Sequence, residues 1–266
     1  MTSQQFELNI LYLAFLLYTA FGFGSFFSKH KDRYYRPLVI LAICGLAAHS
    51  ISIGIRWNRI GHGPFINLYE ILSSNVWSMF LGVTLFFIFF KQITRVFWFL
   101  TPVVFIMMLW LMSASPKESF LPPTYNTIWL YFHVITGKFF FTLLFLASGL
   151  AVCGLLTKID QESALQQQSY IKLAYKFLAI AFLFESFMLF FGAIWAQDAW
   201  GRYWAWDPLE TWAFLTWLGV AFTLHLQVGF KKDRLFLWLI LGCFTLAFLT
   251  FFGVPFISTA PHKGMI

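Results

Sequence analysis

Eight charge-free apolar stretches recur along the 266 residues, near 8–28, 37–55, 73–90, 96–113, 139–157, 177–195, 211–230 and 235–257, and only Glu185 interrupts them. Each has close to the ~20 residues that a helix needs to cross a bilayer. Lipid offers no partner to backbone polar groups, so a spanning segment must be a helix or a strand of a closed barrel. These runs are continuous rather than alternating, which selects the helix. With 60% hydrophobic and 11% charged residues the chain has too little polar surface for a soluble globule of its length. The expected fold is therefore an all-α polytopic membrane protein of about eight transmembrane helices, one transmembrane domain over 1–266, with no large soluble domain. The first run lacks a basic flank and a small-residue cleavage site, so it is read as a helix and not as a signal peptide.

Twelve of the eighteen Lys and Arg residues fall in every second connection, at 28–36, 91–95, 157–176 and 231–234. The positive-inside tendency makes those connections cytoplasmic and puts both termini on the outer face. Segments 57–72, 114–138, 196–210 and the tail from 258 then face outward. The net charge of +7 is topogenic on this reading, and no aromatic interleaving with the bases suggests nucleic acid. Cys44, Cys153 and Cys243 are isolated within spans, without a CxxC pair, so neither disulfides nor thiolate metal sites are expected. No internal repeat, P-loop or dinucleotide fingerprint is evident, and nothing suggests a nucleotide-driven pump.

The outer segment "WAQDAWGRYWAWDPLETW" (195–212) holds five of the twelve tryptophans. Indoles suit the membrane interface, so one reading is a belt. A belt spreads its rings among helices, whereas this loop concentrates them around a rigid "WDP". A dense set of flat rings can instead grip a large planar apolar ligand. Asp207, Pro208 and Glu210 fit the N-cap, first and third positions of a helix start, which would also fix how the loop leaves that helix. Arg202 reads either as a surface charge or as a partner for an anionic group. His133, His62 and His262 share the outer face with the tryptophans, and two imidazoles on opposite sides would complete the coordination of a haem iron. His49 and His225 lie inside spans, roughly 10 Å and roughly 25 Å from the outer ends of their helices at 1.5 Å per residue. They are thus not expected to ligate one iron. His225 would need a second ligand from another chain or a moved helix, while His49 reads equally as a hydrogen-bonded core histidine. Glu185 reads as a buried protonated acid or as the holder of a histidine's ring proton.

"WGRYWAWDPLETWAFLTWL" (200–218) resembles the tryptophan-rich WWD signature of the haem-handling family of cytochrome c maturation, and its "WDP.ETW" form is closest to the CcsA (ResC) branch. "HSISIGIRWNRIGHGPFINLYE" (49–70) resembles a second segment of that branch. Histidines before the fifth helix, on the helix after the signature and near the C-terminus extend the similarity over nearly the whole chain. The resemblance implies that His133 and His262 ligate haem b at an outer site, and that Trp200, Trp204, Trp206, Asp207 and Trp212 form its signature. It also implies that His225 binds haem within the membrane. The tail "GVPFISTAPHKGMI" departs from the branch's usual ending, so His262 rests on position. Lys138 and Arg202 are charge-based candidates for haem propionates. The implied function is the haem-handling part of a cytochrome c synthase complex with a CcsB (ResB)-type partner, presenting haem to the CxxCH segment of apocytochrome c. The implied location is the bacterial cytoplasmic membrane or the plastid thylakoid membrane, with the site on the outer or lumenal face. A haem exporter or chaperone of CcmC type, without ligation chemistry, is the rival; a structural subunit anchored by its tryptophans is a third reading.

Overall fold

The computed structural model describes residues 2–27, 32–90, 93–118, 120–157 and 161–254. They form eight α-helices: α1 (Ser3–Phe27), α2 (Asp32–Ile60), α3 (Leu68–Phe89), α4 (Phe97–Ser113), α5 (Ile128–Leu156), α6 (Gln161–Trp200), α7 (Pro208–Phe230) and α8 (Asp233–Phe252). No strand occurs among the described residues. Seven of the helices are long and apolar enough to cross a membrane. The eighth, α4, has 17 residues and reaches about 25 Å at 1.5 Å per residue. Each apolar run of the sequence falls on one of these helices, as expected, although the last, 235–257, runs past the end of α8 at Phe252 and beyond the described residues.

The helices outrun the apolar runs where charge had marked a limit. α5 begins at Ile128 and carries the half-buried Lys138 inside it; a single long cationic side chain does not stop a helix, because its stem packs on apolar neighbours. α6 takes in most of the expected basic connection 157–176 and runs for 40 residues. The stretch "ALQQQSYIKLAYK" contains neither Gly nor Pro and is rich in good helix formers.

The chain divides into two compact units, Met1–Phe120 and Leu121–Ile266. In the first, α1 packs chiefly on α2, and α3 on α4 and α2. Tyr18 stacks on Phe80 at 3.6 Å, and Phe21 meets Phe80, Phe87 and Phe97 edge-on. In the second, α5 and α6 pack along much of their length, and α8 closes against α5 and α7. Phe141 there meets Phe244, Phe251 and Phe252. Between helices already in lipid such close side-chain packing, rather than escape from water, supplies the attraction.

One local device occurs twice, with its glycine, cap, glutamate and tryptophan each 140 residues apart. α2 and α6 each end at a glycine with left-handed backbone, Gly61 (φ +76°) and Gly201 (φ +80°), whose N–H reaches back to Trp57 or Gln197 at 3.0 Å in both cases. Loops 61–67 and 201–207 follow, each closed by an N-cap, Asn67 or Asp207, that accepts from the N–H of Glu70 or Glu210 at 2.9 Å. One turn-pair further on, Trp77 and Trp217 each donate to a serine of the preceding helix, Ser50 and Ser186, at 2.8 Å. Over these loops and caps only Gly, Glu and Trp are the same residue in both copies. Backbone conformation carries the rest of the likeness, which a residue-by-residue comparison does not register.

Candidate functional site at the tryptophan loop

His133 lies in the second turn of α5 and not ahead of the helix. Its Nδ1 is 2.9 Å from the carbonyl of Met188 on α6. A carbonyl only accepts, so Nδ1 carries the proton and the neutral ring keeps its lone pair on Nε2. That is the tautomer in which an imidazole binds a metal, with its second nitrogen held by a backbone carbonyl. The ring lies nearly parallel to the Trp195 indole, at 14° with centroids 6.1 Å apart. A Cβ on Gly192 would fall 2.7 Å from Nδ1, so only glycine leaves the imidazole its place against α6. Trp195 is itself fixed: it is 2% exposed and donates Nε1–H to the carbonyl of Tyr125 at 2.9 Å. The rings of Tyr125 and Trp200 meet it edge-on at 5.6 and 5.0 Å.

Beyond Gly201 the loop builds a second aromatic group. Trp204 and Trp206 meet edge-on at 5.6 Å, and both meet Phe214 of α7 edge-on, at 6.3 and 6.1 Å. Phe214 stacks on Trp217, which stacks on Phe182. The indole Nε1–H of Trp204 is a buried donor without a hydrogen-bond partner among the described residues, and an acceptor such as a ligand carboxylate would satisfy it. Trp206 is 67% exposed and has left-handed backbone, φ +56°, a region a bulky non-glycine residue enters only when its surroundings hold it there. Asp207 caps α7 as expected. Glu210 does more than favour the helix start, since its Oε2 accepts from the N–H of Ala205 at 2.7 Å.

The other expected residues are placed as follows. Trp212 is half-buried in the second turn of α7, and Arg202 is exposed in the loop. His225 is exposed on α7, with Nδ1 2.8 Å from the carbonyl of Ala221 on its own helix; the same argument puts its lone pair on Nε2. His49 is wholly buried and bonded at both ring nitrogens, to the Tyr18 hydroxyl at 3.2 Å and the Ser73 hydroxyl at 3.0 Å. It is the hydrogen-bonded core histidine of the two readings left open. His62 is buried, with Nδ1 3.0 Å from the carbonyl of Gly63. Glu185 is buried with neither carboxyl oxygen hydrogen-bonded among the described residues, so it holds no histidine proton there. His262 lies outside the described residues.

Sequence reasoning missed Gly192 and the Met188 carbonyl, which only the pairing of α5 with α6 brings to His133. It also missed an ionic clasp in the first unit. Arg56 reaches Glu70 at 2.8 Å and Glu7 at 3.3 Å, donates to the carbonyls of Pro116 and Lys117 at 3.2 and 2.6 Å, and lies over the Tyr69 ring. Arg59 extends it to Glu7 and Glu118. Arg56, Glu7 and Glu70 are at most 2% exposed. The Arg-Trp and Asn-Leu-Tyr-Glu elements of the 49–70 segment thus carry structure.

Residues 65–262 match the profile of the family described as "Cytochrome C assembly protein". The chain is similar to the cytochrome c biogenesis protein CcsA of Chlamydomonas reinhardtii, 30% identical over 85% of this chain and 67% of that one. It is similar to protein NrfI of Wolinella succinogenes, 32% identical over 95% of this chain, which spans 29% of that longer protein. A solved structure titled Cytochrome c Heme Lyase CcmF shares the fold, with a TM-score of 0.74 at 18% identity, over 95% of this chain and 47% of that one. The chain belongs to the cytochrome c assembly protein family, as a multi-pass membrane protein of the CcsA type acting in cytochrome c biogenesis.

Proposed function

We propose that this protein is the haem-handling subunit of a cytochrome c synthase, holding haem b at an extracytoplasmic site for attachment to the CxxCH segment of apocytochrome c. The topology proposed has eight spans with both termini and the tryptophan loop on the outer face of a bacterial cytoplasmic or plastid thylakoid membrane. The carrying observation is His133: Nδ1–H on the Met188 carbonyl, ring seated over Gly192 and against Trp195. His133 and, from the tail, His262 would bind the iron from opposite sides. Trp200, Trp204, Trp206 and Trp212 would meet the macrocycle and Asp207 would hold their loop. The donor set fits haem, which needs a lone-pair nitrogen of fixed tautomer, flat apolar partners and a donor for its acidic groups; Trp204 Nε1, Arg202 and Lys138 are candidates for the last.

Bond formation is the addition of two cysteine thiols across two vinyl groups, and the chain's own contribution is binding, orientation and protection of the iron. The exposed His225 faces outward from its helix, so the second ligand of a haem at that depth is proposed to come from a CcsB-type partner. A relative of which a segment like this chain forms 29% supports action beside further polypeptide. Optical spectra of the purified protein, oxidised and dithionite-reduced, test the reading. Six-coordinate b-type bands that weaken in His133→Ala and His262→Ala are expected; a colourless natural protein purified with its partner from haem-replete cells would overturn it. A cytochrome c reporter left without covalent haem would move the reading to a CcmC-type carrier.

A further inference from the structure

The two copies of the helix-start device differ by one residue in reach. Glu70 Oε2 accepts from the N–H of Ile66, immediately ahead of the N-cap, at 2.9 Å. Glu210 Oε2 passes over the equivalent residue and accepts from Ala205, two ahead of its N-cap, at 2.7 Å. The residue passed over is Trp206. With Ala205 tied from one side and Asp207 fixed as the cap from the other, the backbone between them bulges into the left-handed region and turns the indole out. The Thr211 hydroxyl, 3.4 Å from the Trp206 carbonyl, lies on the same bulge. Ile66 in the first unit has no such conformation and is 2% exposed, against 67% for Trp206.

We infer that Glu210 is a positioning residue for haem: by holding Ala205 it keeps Trp206 in its left-handed conformation and presents the indole to the macrocycle. This rests on the haem reading above. Glu210 acts through reach and acceptor geometry rather than through charge, since no lysine or arginine lies within salt-bridge distance of it among the described residues. Helix α7 itself does not depend on the contact, because Asp207 and Pro208 suffice to start it.

Two mild substitutions separate the roles. Glu210→Asp keeps the charge and the preference of the first helical turn for an acid but loses the reach to Ala205; Glu210→Gln loses the charge but keeps an acceptor of equal length. Release of bound haem from the purified complex to apomyoglobin is followed at the Soret band. Glu210→Asp is expected to release haem about tenfold faster and Glu210→Gln within about twofold of the natural protein, tenfold being the scale of one ordinary hydrogen bond. In a Trp206→Ala background the effect of Glu210→Asp should vanish, because a residue acting through the indole has nothing left to position. Unchanged release from Glu210→Asp, equally fast release from Glu210→Gln, or an additive double variant overturns the inference while the haem reading stands. A natural protein without haem overturns both.

Discussion

The first unit bolts down what the second leaves presented. Both join their second and third helices through a seven-residue loop that opens on a left-handed glycine and closes on an Asn or Asp cap, with glutamate three residues on. In the first unit that glutamate is also the counter-ion of Arg56, which itself reaches Glu7 and the 116–117 backbone, and the cap Asn67 donates to the Lys117 carbonyl. In the second it holds only backbone, and the strained residue beside it is an exposed tryptophan. In the first unit His49 is closed at both nitrogens by Tyr18 and Ser73, whereas His62, like His133 and His225 of the second unit, has Nδ1 on a backbone carbonyl. One loop architecture thus leads into a buried ionic clasp in the first unit and into an exposed aromatic loop in the second.

The sharpest way to break this comparison is to remove the bolt. Arg56→Met leaves Glu70 buried without its cation and Glu7 with Arg59 alone, and loss of one partner from a buried ionic group costs about 3–5 kcal/mol. Thermal unfolding of the detergent-solubilised protein should show that loss. The triple variant Glu7→Gln, Arg56→Met, Glu70→Gln should regain most of it, because uncompensated charge is the larger part of the penalty. A single variant as stable as the natural protein would make the clasp a surface ion pair in effect and dissolve the contrast.

Gly192→Ala probes the presenting side. Alanine favours a helix over glycine by roughly 0.5–1 kcal/mol, but its Cβ would stand 2.7 Å from His133 Nδ1 and 2.9 Å from Cε1. The imidazole must move and give up the Met188 carbonyl, so a net cost of about 1–2 kcal/mol is expected, within the usual range for overpacking. The distinguishing result is spectral: weakened reduced haem bands in a protein that still folds. Gly61→Ala and Gly201→Ala then test whether the loops are alike in backbone but not in role. Neither has a neighbour within 4 Å of an added Cβ, so the cost in each is the left-handed conformation, about 1 kcal/mol. Melting should fall equally in both, and haem release should quicken only in Gly201→Ala.

What the sequence made legible follows from what is local in it. Apolar runs located the eight helices, and Asp207-Pro208 with Glu210 announced the start of α7, because hydrophobic length and capping act within a few residues. Helix limits were displaced wherever a charge was read as an end, as at Lys138 and in the basic stretch before residue 177. The tryptophan loop was visible as composition, yet the division of its rings between His133 and Phe214 was not, since it depends on which helices pair. Gly192 and Met188 are 59 and 55 residues from His133, and nothing nearby marks them. The clasp of Glu7, Arg56 and Glu70 was not legible, for a charge reveals its burial only when three helix ends and a loop converge on it.

The smallest effect concerns the indole–serine bonds that both units share. Trp77→Phe and Trp217→Phe each delete a 2.8 Å donation to a serine hydroxyl while keeping an aromatic ring. Interhelical hydrogen bonds within a membrane average about 0.6 kcal/mol, so each substitution should lower the melting temperature only slightly. The two sites differ in what else the ring touches. Trp217 is stacked between Phe182 and Phe214, and Phe214 meets both Trp204 and Trp206. Trp217→Phe should therefore add a small acceleration of haem release, which Ser186→Ala, removing the same bond but leaving the indole in its stack, should not reproduce. Equal haem release in Trp77→Phe, Trp217→Phe and Ser186→Ala would mean that the aromatic ladder ends at Phe214 and that the presenting side of the second unit is confined to its loop.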